Sequence, residues 1–263
     1  MTTITDPACE LAEIAKLLSV GGGETGDKFL ANKFQVEPWS TEFVRILACI
    51  FERCDLVADI VDHSSLDEET KASCREDMAT FKSALSGKSL WTSWNTAPDG
   101  GLPKIQVGSR FLYLQHTVRP QVSYPKVSPQ EITEFLGLID AYLAELATNQ
   151  DDHPFVRQAI TDGLKAFQFQ LKHIRWAGAG YMLSAFQAVM LTYDRSRYAF
   201  ESDADLDASA ALKGLRSIIN SVGAKLKEAR EASETAKWVW EGYRALSTMS
   251  LPALALEHLP SHL

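Results

Sequence analysis

Apolar side chains recur every third or fourth position along most of this chain, which is the period of an α-helix. The clearest run lies between Ser128 and Tyr193. Ser128-Pro129-Gln130-Glu131 opens it with a Ser cap, a Pro at the first helical position and a Glu three residues after the Ser. That is a capping box, in which each part satisfies or avoids an orphan backbone donor. Ile132, Phe135, Ile139, Tyr142 and Leu146 then form one stripe. Thr148–Asp152 interrupts it, and Pro154 restarts a helix whose stripe is Ile160, Leu164, Phe167, Leu171, Ile174, Gly178, Met182, Ala185 and Val189. Two striped helices joined by a short polar turn predict an antiparallel hairpin.

The same grammar appears upstream. Asp6-Pro7 caps a first helix with Leu11, Ile14, Leu17 and Leu18 on its face, ended by Gly21-Gly22-Gly23. Glu37-Pro38-Trp39 starts a second helix, with Trp39, Phe43, Ile46, Ile50, Cys54, Val57 and Val61 on its buried side. After a turn at Asp62–Ser65, Ser65-Leu66-Asp67-Glu68 reads as another capping box. Cys74, Met78, Phe81 and Leu85 carry that helix to Gly87. Between Lys88 and Lys126 the period fails. Trp91 and Trp94 are expected to cover the hairpin end, and Pro98-Asp99-Gly100-Gly101 is a turn. Ile105–Val107 and Phe111–Leu114 suit either a β-hairpin or a short helix from Ser109 to Val118, and the helix is favoured.

The last periodic stretch is Ala208, Leu212, Leu215, Ile219, Val222, Leu226, Ala229, Ser233, Ala236, Trp240 and Tyr243, a seven-residue repeat. It suits a coiled-coil seam or a bundle helix. Arg216, Arg230 and Lys237 line one flank, while Ala211, Ile218, Lys225, Ala232 and Val239 line the other. An apolar flank widens the buried face and favours packing within a bundle over a parallel zipper. Trp238 points off the seam. With Arg216, Arg230 and Lys237 it is the candidate partner-binding set.

The expected fold is all-α, a bundle of about six helices. Residues 1–37 are an N-terminal helix and Gly-rich linker. Residues 38–247 form one helical domain, with a hairpin at 38–87, an irregular connector at 88–127, a central hairpin at 128–193 and a long heptad-patterned helix at 205–247. Residues 248–263 are an apolar tail.

Composition narrows the function. The 263 residues carry a net charge of −8, and the pI is about 5.3. That argues against a broad nucleic-acid surface. No apolar run reaches the roughly 18 residues that span a bilayer. No basic region precedes an apolar core near Met1, so the cytoplasm is the expected location. The four cysteines, Cys9, Cys49, Cys54 and Cys74, lack zinc-ligand spacing and read as free thiols.

Few residues suggest chemistry. Gly21–Lys28 resembles a phosphate loop, yet Asp27 stands where Lys should be and a helix precedes it, so a flexible linker is the better reading. Asp203, Asp205 and Asp207 resemble the start of a calcium loop, but Ala208 replaces the needed Gly. The six histidines show no metal pattern, so neither metal nor cofactor is expected. Gly178 and Gly180 lie inside a predicted helix at a cost of roughly 1 kcal/mol each. A close helix crossing, a kink and a ligand near the backbone are the three readings. His173 sits between Lys172 and Arg175 beside those glycines, so His173, Arg175 and Gly178 are the candidate anion site.

The central motifs Ser128–Glu131, Phe135-Leu136, Ile139, Leu143–Leu146, Pro154–Ile160 and Ile174–Gly178 followed by Leu183 accompany a Trp-led hairpin over Trp39–Leu85. On these residues the stretch 38–193 resembles a loosely defined group of small bacterial all-α proteins without an assigned activity. Gly180 and the long final helix depart from its pattern. The resemblance implies a link to mobile elements, stress or phage defence, and no catalytic residue. The expected function is a non-enzymatic interaction or assembly module that binds a protein partner or itself. Membrane contact is expected only through the apolar tail Leu251–Leu263. The alternative is a ligand sensor or enzyme using His173, Arg175 and Gly178.

Overall fold

A computed structural model describes residues 4–148, 154–198 and 209–227. Helices dominate these residues, and the only sheet among them pairs β1 (Ile4–Thr5) with β2 (Tyr124–Pro125), antiparallel, Thr5 opposite Tyr124. The helices bury their stripes in two separate cores.

The first core is built by α1 (Pro7–Leu18), α2 (Gly26–Phe34), α3 (Thr41–Asp62) and α4 (Glu68–Ala84). Asp6 caps α1 through an Oδ1 that accepts the Cys9 N–H, with Pro7 at the first position. Phe43, Ile46, Ile50, Cys54, Val57 and Val61 are buried along α3 as their spacing predicts. Cys74, Met78, Phe81 and Leu85 face them from the other arm of the hairpin. The thiols are free. Burial pushes Cys54 up to about 12 and Cys9 and Cys74 up to about 11. Neutral thiols, not reactive thiolates, occupy these positions near neutral pH.

Several expectations for this half are corrected. The linker read into Gly21–Lys28 is partly helical. Thr25 bridges Ser93, Gly26 N–H donates to Thr92 O, and α2 starts there. Trp39 is neither helical nor buried. Its φ is 60° and it is 44% exposed, because Ser40 caps α3 through the Phe43 N–H. Asp67, not Ser65, caps α4, its Oδ1 accepting the Thr70 N–H. Trp94 is fully buried against Phe29 at 4.7 Å and donates its Nε1–H to Leu18 O, whereas Trp91 is exposed and stacks on Trp39.

The connector is helical in short pieces: α5 (Lys88–Trp91), α6 (Gly101–Ile105), a 3₁₀ segment (Gln106–Leu114) and α7 (Gln115–Val118). The β-hairpin alternative for 105–114 is overturned. Ser109 is not a cap either, since its hydroxyl donates to Gln106 O within the 3₁₀ turn. This segment lies along α1 and α4 and inserts Ile105, Phe111 and Val118 into the core.

The second core is made by α8 (Pro129–Thr148), α9 (Pro154–Lys172), α11 (Ala179–Arg197) and α12 (Ala210–Lys227), with α10 (Ile174–Ala177) between α9 and α11. α8 packs on α9 and α12, and α11 packs on the same two, so the four close a ring. The predicted capping box is present. Glu131 N–H donates to Ser128 Oγ at 3.2 Å, and Ser128 N–H donates to Glu131 Oε2 at 2.8 Å. Phe167 meets Phe186 at 5.5 Å between α9 and α11. Along α12, Leu212, Leu215, Ile219 and Val222 are buried, as are the flanking Ala211 and Ile218, and the Tyr142 hydroxyl of α8 donates to Ala211 O. The predicted continuous helix from Pro154 to Tyr193 is corrected, since it breaks at His173 and again at Gly178.

Candidate functional site

The break at Gly178 lies where the two cores meet. Phe169 and Trp176 belong to the first core, Trp176 lying 4.9 Å from Phe34, while Ala179 and Met182 belong to the second. Gly178 turns the backbone with φ 101° and ψ 157°, a conformation open to glycine. One helix ends there and another begins, so helix-end carbonyls and N–H groups that need partners meet within a few residues.

Two first-core side chains close this junction. Arg53 of α3 donates from Nη2 to Trp176 O at 2.8 Å and to Ala177 O. Glu10 of α1 accepts the Ala179 N–H through Oε1 at 3.0 Å. Arg53 Nε and Glu10 Oε2 lie 3.4 Å apart, and the side chains are 3% and 11% exposed. The cation sits at a helix C-terminus and the carboxylate at a helix N-terminus, each matching the local dipole. A buried ion pair holds only where such additional bonds compensate its desolvation. Burial pushes the Glu10 carboxyl above its usual range, against the opposing pull of Arg53 and the Ala179 N–H. A Cβ on Gly178 would lie 2.5 Å from Arg53 Nη2 and 2.7 Å from Glu10 Oε2, so glycine is required twice, for its φ and for this approach.

Beside the junction is a cleft of about 230 Å³ between α1, α3 and α11. Glu10 and Arg53 line it together with Pro7, Leu56, Tyr124 and Leu183, and Glu52, Gly180, Tyr181, Ser184 and Gln187 complete the lining. The Tyr181 hydroxyl donates to Glu52 Oε2. Burial and that carboxylate both push the phenol above its usual range. Burial pushes Tyr124 up to about 12, so both tyrosines stay protonated donors at neutral pH. A Cβ on Gly180 would lie 2.7 Å from the Tyr124 ring. Among the described residues no group of His, Cys, Asp and Glu is placed to hold a metal ion.

Of the residues singled out by sequence, Gly178 is at this junction. His173 is buried and packs on Phe169 at 4.8 Å. Burial holds its pKa below the usual value, with Lys172 adding to that and Glu42 opposing it. Arg175 is exposed. Neither lines the cleft. Arg216 is exposed on α12, whereas Arg230, Lys237, Trp238, the Asp203–Asp207 run and the 248–263 tail lie outside the described residues. The sequence reading missed Glu10, Glu52, Arg53, Tyr124 and Tyr181. One signal was available: Arg53 stands between Ile50 and Val57 on a stripe otherwise apolar, and a buried charge demands a partner.

Fold and site together define an all-α protein of two helical cores clasped by a buried arginine–glutamate pair beside a small cleft. Among the described residues no helix is long and apolar enough to cross a membrane. No protein-family model, no curated protein and no solved structure matches the chain.

Proposed function

We propose that the chain is a non-enzymatic helical assembly module, and that its contact surface is the part of the heptad pattern that follows α12. A mismatch of lengths supports this reading. The repeat runs in sequence from Ala208 to Tyr243, while α8 and α11, which cover its first part, are 20 and 19 residues long. Each offers about 30 Å of helix. Tyr142, near the end of α8, already meets Ala211 at the start of α12, so a helix running back along α8 passes the first turn of α8 near Lys225. In sequence the repeat continues past that point, with Ala229, Ser233, Ala236, Trp240 and Tyr243 at its later positions. In this reading a partner helix packs against those positions. The flanking Arg230 and Lys237 favour a partner with acidic flanks over a parallel second copy. The resemblance of residues 38–193 supports a place for such a module in bacterial stress or phage defence.

Size-exclusion chromatography with light scattering tests this, run on the full chain and on a Trp240→Glu/Tyr243→Glu variant, with crosslinking in cells. The expected result is a defined complex of fixed stoichiometry for the native chain and a monomer for the variant, with equal helical content. A native chain that is monomeric and crosslinks to no protein contradicts the proposal.

A further inference from the structure

The clasp offers a ligand nothing. Arg53 Nε faces Glu10 Oε2, Arg53 Nη2 serves the two α10 carbonyls, and Glu10 Oε1 takes the Ala179 N–H. Arg53 Nη1 and Glu10 Oε2 are sealed from the surface. The cleft beside it has open polar groups of its own. Tyr124 lines it and is only 9% exposed. The Tyr124 hydroxyl has no hydrogen-bond partner among the described residues, and it is not one of the sealed polar atoms. A buried tyrosine hydroxyl ordinarily finds a partner. Glu52 is exposed and makes no ion pair among the described residues, and the Tyr181 hydroxyl occupies Oε2 and leaves Oε1 open. Both groups meet the first turn of α11. The hydroxyl lies beside Gly180, whose added Cβ would be 2.7 Å from it, and the carboxylate meets Tyr181.

We infer that this cleft binds a small primary amine, an ammonium carried on an apolar ring, held by the Glu52 carboxylate with the Tyr124 hydroxyl as a second acceptor. Charge selects this class. Glu52 is the reachable charge of the cleft, because the guanidinium of Arg53 is turned wholly to the clasp. Of the two clasp charges, Glu10 acts on the Tyr124 phenol more strongly than Arg53 does, so the field at that hydroxyl is that of an anion. A carboxylate or phosphate would reach no cation and would face Glu52. An alcohol would serve Tyr124 and leave Glu52 to water. An ammonium brings three donors. Glu52 and Tyr124 accept two of them, and a hydrogen bond from a cation to a carboxylate is the stronger kind. The ring then lies against Pro7, Leu56 and Leu183, which suit an apolar body. The cleft volume of about 230 Å³ accommodates a single ring.

The test is calorimetric titration of the full chain with benzylamine, benzyl alcohol, benzoate and n-butylamine, the last standing for the end of a lysine side chain. Benzylamine is expected to bind. Benzyl alcohol, without the charge, is expected to bind about tenfold more weakly or worse. Benzoate and n-butylamine are also expected to bind more weakly than benzylamine. Glu52→Gln keeps an acceptor for the Tyr181 hydroxyl and removes the charge, and is expected to weaken benzylamine about tenfold. Tyr124→Phe removes a hydroxyl that no described residue uses, and is expected to weaken benzylamine severalfold at an unchanged melting temperature. Ser184→Trp places an indole in the cleft from an exposed rim position and is expected to abolish binding. Equal or tighter binding of benzyl alcohol, benzoate or n-butylamine overturns the inference. So does benzylamine binding that is unchanged in Glu52→Gln, in Tyr124→Phe or in Ser184→Trp, or no binding of benzylamine at all.

Discussion

The two cores solve the same problem in different ways. The second is repetitive. α8, α9, α11 and α12 present one stripe each, and each packs on two of the others around one shared core. The first depends on single contacts between residues far apart in sequence. Trp94 reaches the C-terminal carbonyl of Leu18, and Arg119 donates to Asp6 Oδ2 at 2.9 Å across 113 positions. Removing one leucine from the repetitive core removes one layer. Removing one polar anchor from the other frees a whole segment. The junction at Gly178 combines both habits, because two anchors from the irregular core hold the turn on which the regular core depends.

The largest effect should come from Arg53→Met. It leaves Glu10 buried without its cation and the α10 carbonyls without their donor, and a loss of about 3–5 kcal/mol is expected in urea unfolding. A loss under about 1 kcal/mol would mean the clasp contributes nothing net. Gly178→Ala comes next, at about 3 kcal/mol, from a left-handed φ and the contact with Arg53. Both changes should weaken the two cores together. Changes inside the regular core should stay small. Ser128→Ala removes one half of the capping box and should cost about 1 kcal/mol. Gly137→Ala, in α8 with no atom within 4 Å of the added Cβ, should stabilise by about 1 kcal/mol. A larger change from either would show that the bundle is less modular than its packing implies.

The smallest effect is a dependence on pH. The folded state raises the Glu10 pKa, so it favours the protonated carboxyl. That contribution is complete below the unfolded carboxylate pKa and is lost as pH rises through the folded value. Melting temperatures of Glu10→Gln, measured against the native chain between about pH 4 and pH 8, should therefore shift in favour of the variant as pH rises. A shift in the opposite direction would mean that Arg53 dominates burial at this site.

Periodicity made the second core legible, since Phe135, Ile139, Leu164, Phe167, Met182 and Leu215 are buried where their spacing puts them. It also gave the stripes of α1, α3 and α4. It gave little for α2, whose glycine-led start depends on a bridge to Ser93, or for the 3₁₀ segment, whose three-residue period resembles neither template. The Trp39 backbone was invisible because its left-handed turn is fixed from outside, by an indole N–H that donates to Asp27 Oδ2. At the candidate site the sequence marked Gly178 as costly, and a kink was among its readings. It did not supply Glu10 and Arg53, because a glycine records that something must come close and not what does. The charged residue on an apolar stripe was the complementary clue, and it carried no address for its partner.

Hydrogen exchange by mass spectrometry, comparing α3 with α9 in the native chain and in Gly178→Ala, bears most directly on the clasp. If Arg53 and Glu10 join the two cores into one cooperative unit, the slowest amides of both helices exchange with the same opening free energy in the native chain and separate in the variant. Native helices that already open independently, or a variant in which they remain matched, would contradict it.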